Sequence, residues 1–470
     1  MKIGSALRRL YAPEYLLKPE KWMGEVLPAK DVYKSLSRVA WPATVEMVLI
    51  SLMNLVDTIM VSSMGAFAVA ATGLTQQPRM IFFSFFFALN AGVTAIVSRR
   101  KGEQDVAGAN KCLSQAIMIC VVLSGVLCAL SFTVARPLLM FAGAQADTIE
   151  PAVIYFKITM VGMVFAAIGM VINAAQRGAG NTRISMWTNL IANVVNVVFN
   201  YLLINGIGVF PKWGVKGAGI ATLMGNVASC LISIYSVSKP FEFLHIKVKS
   251  LFKFESDVIK PLLKISSSAA LEQSFVRIGF FAYTKIVATL GTAALATHQI
   301  CMSIINLSYS FGDGLGISAA SLVGQNLGRR RPDIAMVYGK AAQRIGVLVS
   351  VGLIVLFTAG GRMIMGMFTN VEEIIDIGQK ILLIVAFTAP GQISNVVFSG
   401  SLRGAGDTRF VAYSSLVSIA IVRPLVSYVL IFPLKLGLIG AWIGLFIDQH
   451  VRLAFSSYRF KKEKWQKIKL

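Results

Sequence analysis

RGAGNTR, residues 177–183, returns as RGAGDTR at residues 403–409, an offset of 226. Sliding the first half by that offset also lays Glu46 on Glu272, Gly65 on Gly291 and Gly102 on Gly328. Further on the register drifts. KGAGI at 216–220 matches IGAWI at 439–443, an offset of 223, as a shorter outer loop in the second half would require. A repeat of this length means two copies of one architectural unit, not a solenoid of short repeats. Within the heptapeptides the glycines permit a tight reversal between helices. Asn181 or Asp407 stands where it can cap the helix that follows, and the arginines fall at the level of lipid head groups.

The flanks of these loops are strongly apolar. The 470 residues are 56% hydrophobic and 14% charged, with a mean hydropathy of +0.69, whereas soluble domains carry about 25% charged residues. A membrane-spanning helix needs about 20 mostly apolar residues. Twelve segments qualify, at about 39–62, 75–98, 112–135, 152–176, 185–207, 217–238, 265–288, 296–322, 341–361, 379–401, 410–432 and 436–455. The fold class is therefore an all-α integral membrane protein of twelve transmembrane helices. Six spans per repeat is an even number, so both halves keep one orientation and are related by a pseudo-two-fold axis along the membrane normal. The chain then reads as a basic arm (1–38), an N-lobe (39–238), a linker (239–264), a C-lobe (265–455) and a basic tail (456–470). Two like-oriented bundles that rock about a shared cleft make a transporter.

A net charge of +23 invites a nucleic-acid reading, but its distribution excludes one. With the N-terminus inside, 34 of the 45 Lys and Arg residues fall on the cytoplasmic side. That is the positive-inside asymmetry of a multi-pass cell-membrane protein with both termini cytoplasmic. The arm, broken by Pro13, Pro19 and Pro28, has no signal-peptide pattern. Arm and tail can also hold acidic membrane lipids. The five cysteines show no metal-ligand spacing. No HExxH, GxSxG or P-loop is present, so neither an enzyme nor a resident cofactor is expected, and an ion gradient is left to drive transport.

Ionisable residues inside spans are functional candidates. The first half offers Glu46 and Asp57, eleven residues apart and so on one helix face, with no evident basic partner inside their half. The fifth span, TNLIANVVNVVFNYLLI (188–204), sets Asn189, Asn193, Asn196 and Asn200 on one narrow stripe. Amide oxygens around one carboxylate can hold a desolvated Na⁺. The same amides can orient a carboxylate that titrates, or simply join helices by hydrogen bonds. The second half offers Glu272, Asp313 and Asp448 with Arg277 and Arg423. Arg277 and Asp313 read as a structural pair, Asp448 and Arg452 as an interfacial one. Glu46, Glu272, Asp313 and Arg277 are candidates to line a substrate cleft.

WPATVEMVLISLMNLVDTIMVSSMG (41–65), the twin RGAG(N/D)TR loops and GVKGAGIAT (214–222) resemble the multidrug and toxic compound extrusion (MATE) family. The resemblance runs from about Leu36 to Phe455 and is nearest the DinF-like and archaeal-like branches. It implies two six-helix lobes and export of lipophilic, mostly cationic drugs or toxic compounds in exchange for H⁺ or Na⁺, by a monomer. It also implies a cation site around Asp57, with Asn196 as the fifth-helix asparagine and Thr222 as a sixth-helix hydroxyl. Where that branch carries a second aspartate, Asn200 stands, so a Na⁺ site of Asp57, Asn196 and Asn200 has lost a charge. The other branch's C-lobe carboxylates do not carry over. Val276 stands at its seventh-helix glutamate, and Gln392 occupies its tenth-helix position, leaving Gln392 a cleft candidate. The alternative reading is a flippase for lipid-linked head groups or oligosaccharides on the same two-lobed plan.

Overall fold

The computed structural model describes residues 11–146, 148–208, 210–239, 242–246, 254–468 and 470; parts of the expected arm and linker lie outside them. Among the described residues there are twelve long helices and no strand. They are α1 (Ala29–Ser62), α2 (Ala66–Gly102), α3 (Val106–Phe141), α4 (Ile149–Gly178), α5 (Thr182–Asn205) and α6 (Gly214–Val237). The second six are α7 (Ser256–Ala288), α8 (Thr292–Gly328), α9 (Pro332–Gly366), α10 (Glu372–Gly404), α11 (Thr408–Ile431) and α12 (Gly437–Lys461). Ten are long and apolar enough to cross a membrane. The exceptions are α7 and α8, whose Glu272, Arg277 and Asp313 dilute the apolar run.

The chain divides into two compact units. One is Val48–Ser266; the other joins Met1–Met47 to Ser267–Leu470. The cut passes through α1 and through α7. In the first unit α2 packs on α3 and α4, α4 on α3 and α6, and α5 on α6. In the second unit the same pairs recur six helices on: α8 with α9 and α10, α10 with α9 and α12, α11 with α12.

The repeat extends to backbone angles. Gly65 and Gly291, which precede α2 and α8, have φ of 100° and 99°. Gly180 and Gly406 in the twin loops have 86° and 87°, a region that favours glycine. Even the non-glycine pair Gln104 and Arg330 matches, at 59° and 58°. The first glycine of each heptapeptide has a different task. A Cβ on Gly178 would stand 2.9 Å from the Thr94 carbonyl oxygen, and one on Gly404 would stand 2.1 Å from that of Ala320. Those glycines let α4 approach α2, and α10 approach α8, backbone to backbone. One expectation for the loops needs correction. Neither Asn181 nor Asp407 caps its helix through the side chain; Asp407 instead accepts from Arg459 Nε at 2.6 Å. Arg403 of the second loop pairs with Glu272 of α7.

The second unit contains part of what the sequence read as a basic arm. Leu16 and Leu17 are buried in its core. Lys340 Nζ donates to the Leu16 carbonyl at 2.6 Å, and Met23 N–H donates to Asp333 Oδ2 at 3.2 Å. Arg331 grips the same Asp333 from Nε and Nη2 at 2.9 and 2.7 Å and reaches the Glu25 carbonyl. Lys21 pairs with Glu463 of the tail. The tail is folded too: Trp465 is fully buried and stacks on Phe460 at 5.0 Å.

Candidate functional site

Asp57 on α1, Asn196 and Asn200 on α5, and Thr222 on α6 meet inside the first unit. Asn200 Nδ2 donates to Asp57 Oδ1 at 3.0 Å. The orientation of the Asn196 amide is set by its neighbours. Turned one way, its Nδ2 donates to Asp57 Oδ1 at 2.7 Å and its Oδ1 accepts from the Thr222 N–H at 3.2 Å. Turned the other way, its Oδ1 accepts from Asn200 Nδ2 at 3.1 Å. Both asparagines are buried, at 8% and 2% exposure, so their amides require partners.

Close packing of α6 on α5 holds these amides in place. A Cβ on Gly225 would stand 2.8 Å from the Ala192 carbonyl and 3.0 Å from Asn196 Cβ; one on Gly217 would stand 2.7 Å from the Leu203 carbonyl. Glycines at 217 and 225 both face α5, a spacing already legible in the sequence.

The rest of the amide stripe does not join. Asn189 donates to its own helix at the Ser185 carbonyl, 3.1 Å away, and Asn193 is only partly buried. Thr222 contributes its backbone N–H, because its hydroxyl donates to the Ala218 carbonyl at 3.0 Å. Glu46, 1% exposed, falls in the other unit although it shares α1 with Asp57.

α2 brings a basic side chain, Arg79, into the first unit. Arg79 Nη1 donates to the Tyr155 hydroxyl at 3.4 Å, and its guanidinium lies 6.0 Å from the Tyr155 ring centre.

In the second unit two of the carboxylates are held by arginines. Glu272 accepts from Arg403 Nε at 3.2 Å and also from its Nη2. Asp448 accepts from Arg423 Nε and Nη2 at 3.0 and 2.6 Å, so its partner is Arg423 and not Arg452. Asp313 of α8 is exposed. Arg277 is partly buried on α7. Gln392 is fully buried, and neither amide atom has a hydrogen-bond partner. Beside Arg423, α11 is a π-helix over Leu416–Val422, where a Cβ on Gly279 would stand 2.3 Å from the Ile419 carbonyl. Among the described residues no three His, Cys, Asp or Glu side chains converge as metal ligands.

The sequence pattern of the family described as MatE matches residues 42–202 and 268–429, once in each repeat. The "Uncharacterized transporter YisQ" of Bacillus subtilis (strain 168) is 27% identical over 93% of this chain and 96% of its own length. The "Probable multidrug resistance protein NorM" of Thermotoga maritima is 26% identical over 93% and 94%. Among solved structures, one described as "Outward-facing conformation of a multidrug resistance MATE family transporter of the MOP superfamily" superposes with a TM-score of 0.86. It is 21% identical and covers 92% of this chain and 97% of its own. A "Crystal structure of MATE in the bent conformation" gives 0.84 at 22% identity, covering 92% and 96%. At these identities the structures establish the fold.

Proposed function

The chain belongs to the MatE family, and from that premise we propose that this membrane transporter exports lipophilic, mostly cationic compounds in exchange for H⁺ or Na⁺ taken up at Asp57. The observation that carries the reading is the Asn200–Asp57 hydrogen bond, with Asn196 within reach of the same carboxylate oxygen. An ionised Asp57 is an acceptor for both amides. An ion that lands on the carboxylate takes lone pairs the amides were using. The Asn196 amide can then turn, and Asn200 can donate to Asn196 instead. Ion occupancy is thereby linked to the contact between α1 and α5, the kind of two-arrangement element that coupling requires.

Export of drug-like cations is supported by the multidrug resistance relatives. The flippase alternative would want free positive charge for an anionic head group. Arg423 and Arg403 are each neutralised by a carboxylate, which favours the first reading. The positive-inside count supports cytoplasmic termini. Cysteines placed at Ala107 and Ala146 test this: only the second should react with an impermeant thiol reagent on intact cells.

The deciding experiment is Asp57→Asn in sealed vesicles, with pH and Na⁺ gradients imposed separately. The variant should fold and bind substrate yet lose gradient-driven transport. Pumping at the wild-type rate would remove Asp57 from the mechanism.

A further inference from the structure

The repeat extends into the site itself, through two shifts of register. Up to the π-helix of α11 the offset is 226. Beyond it the offset is 227, since YLLI at 201–204 returns as YVLI at 428–431. Ile207 N–H donates to the Leu202 carbonyl at 3.2 Å, and Leu434 N–H donates to that of Val429 at 3.2 Å. The wider π-helical turn has taken in one extra residue. The loop that follows is shorter in the second half, and α6 then matches α12 at 223. Gly214 and Gly437 have φ of 53° and 54°. Trp213 N–H donates to the Leu203 carbonyl at 2.9 Å, as Leu436 N–H does to that of Leu430 at 3.0 Å. In this register Tyr283 corresponds to Asp57, Arg423 to Asn196, Ser427 to Asn200 and Asp448 to Gly225. The buried neighbours Val61, Ile204 and Ala218 return as Val287, Ile431 and Ala441. The second unit thus holds a copy of the first unit's site with its polar members changed.

We propose that Arg423 is a resident cation that fills the second repeat's copy of the ion site and closes it to exchange. The inference rests on the reading of Asp57 as the ion site of the first repeat. Where the first unit packs Gly225 against Asn196, the second sets Asp448 against the Arg423 guanidinium, at 3.0 and 2.6 Å. Phe280 and Tyr283 cover that cation, and the Tyr283 hydroxyl donates to the Ala441 carbonyl at 3.1 Å. Neither charged side chain is exposed. A guanidinium keeps its proton in proteins, and this one is tethered, so its charge cannot leave. While it stays, the Asp448 carboxylate already has its cation. Asp57, by contrast, is met by neutral amides and stays open to an ion from solution. The chemistry also names what the second copy would accept if emptied. It is a small planar cation that gives two N–H groups to one carboxylate, as free guanidinium does.

The test uses the full-length protein in detergent, with guanidinium chloride at millimolar concentration, far below denaturing levels, as the probe. Arg423→Ala strands the Asp448 carboxylate and should lower the thermal midpoint. Guanidinium should then raise that midpoint by about 2 °C or more, and the same concentration of KCl should not. Wild type, already filled, should not respond. Nor should the double variant Arg423→Ala, Asp448→Ala, which lacks the carboxylate. Arg423→Gln is the second variant where Arg423→Ala does not fold. A guanidinium response of equal size in wild type or in the double variant would overturn the assignment, as would its absence from both single variants. Asp57→Asn should leave the guanidinium response of Arg423→Ala unchanged. Failure of Asp57→Asn to stop gradient-driven transport would instead sink the reading on which the inference rests.

Discussion

Arg423 and Asp448 meet at 2.6 Å with neither side chain exposed at all. The guanidinium is also covered by the rings of Phe280 at 4.5 Å and Tyr283 at 5.7 Å. Stripping one partner from a buried pair leaves the other charge stranded and costs about 3–5 kcal/mol, whereas replacing both by apolar residues is often neutral. Asp448→Ala should therefore lower the thermal midpoint in detergent sharply. Arg423→Met with Asp448→Leu should recover most of the loss. A double variant as unstable as the single would mean that the pair itself, and not the stranded charge, matters.

The twin glycines make a graded prediction. At Gly404 an added Cβ lies 2.1 Å from a backbone oxygen, so α8 and α10 must separate; at Gly178 the gap is 2.9 Å, so a smaller shift is enough. Overpacking costs about 1–3 kcal/mol. Gly404→Ala should destabilise more than Gly178→Ala, and Gly73→Ala, which meets nothing within 4 Å, should leave the midpoint unchanged. The reverse order in thermal unfolding would contradict the close approach.

These contrasts show what the sequence could supply. The 226-residue register predicted matched glycines, and the backbone angles at Gly65 and Gly291 agree to 1°. Spacing also put the asparagines on one helix face. It could not say which of them sits at the depth of Asp57, because depth depends on how α1 slides along α5. Likewise Glu272 and Arg403 are 131 residues apart, and no local pattern names partners at that range. Arg79 follows Pro78 near a predicted helix end, and no local pattern there shows that its side chain meets Tyr155.

The arm offers a test on a soluble face. Asp333 joins Arg331 and the Met23 N–H, and hydrogen bonds to charged groups contribute about 1.5–3 kcal/mol each. Asp333→Ala should raise amide hydrogen exchange over residues 11–28 by about tenfold or more, with little change in the helices. Unchanged protection there would show that Leu16 and Leu17 alone hold the arm.

The asparagine stripe gives the last prediction, because its four members share a face but not a function. Asn196 and Asn200 touch or approach Asp57; Asn189 bonds to its own helix and Asn193 is half-exposed. Residues in one polar network couple by about 0.5–3 kcal/mol, whereas independent sites add to within about 0.5. The cycle is Asn196→Ala, Asp57→Asn and the double variant, read as the ion-dependent change in affinity for a cationic dye. Either single change should remove most of the dependence, and the second should add little. Asn193→Ala, one turn away on the same stripe, should leave it intact. If Asn193 matters as much as Asn196, the amides act by joining helices, and the hydrogen bonds at Asp57 do not define the ion site.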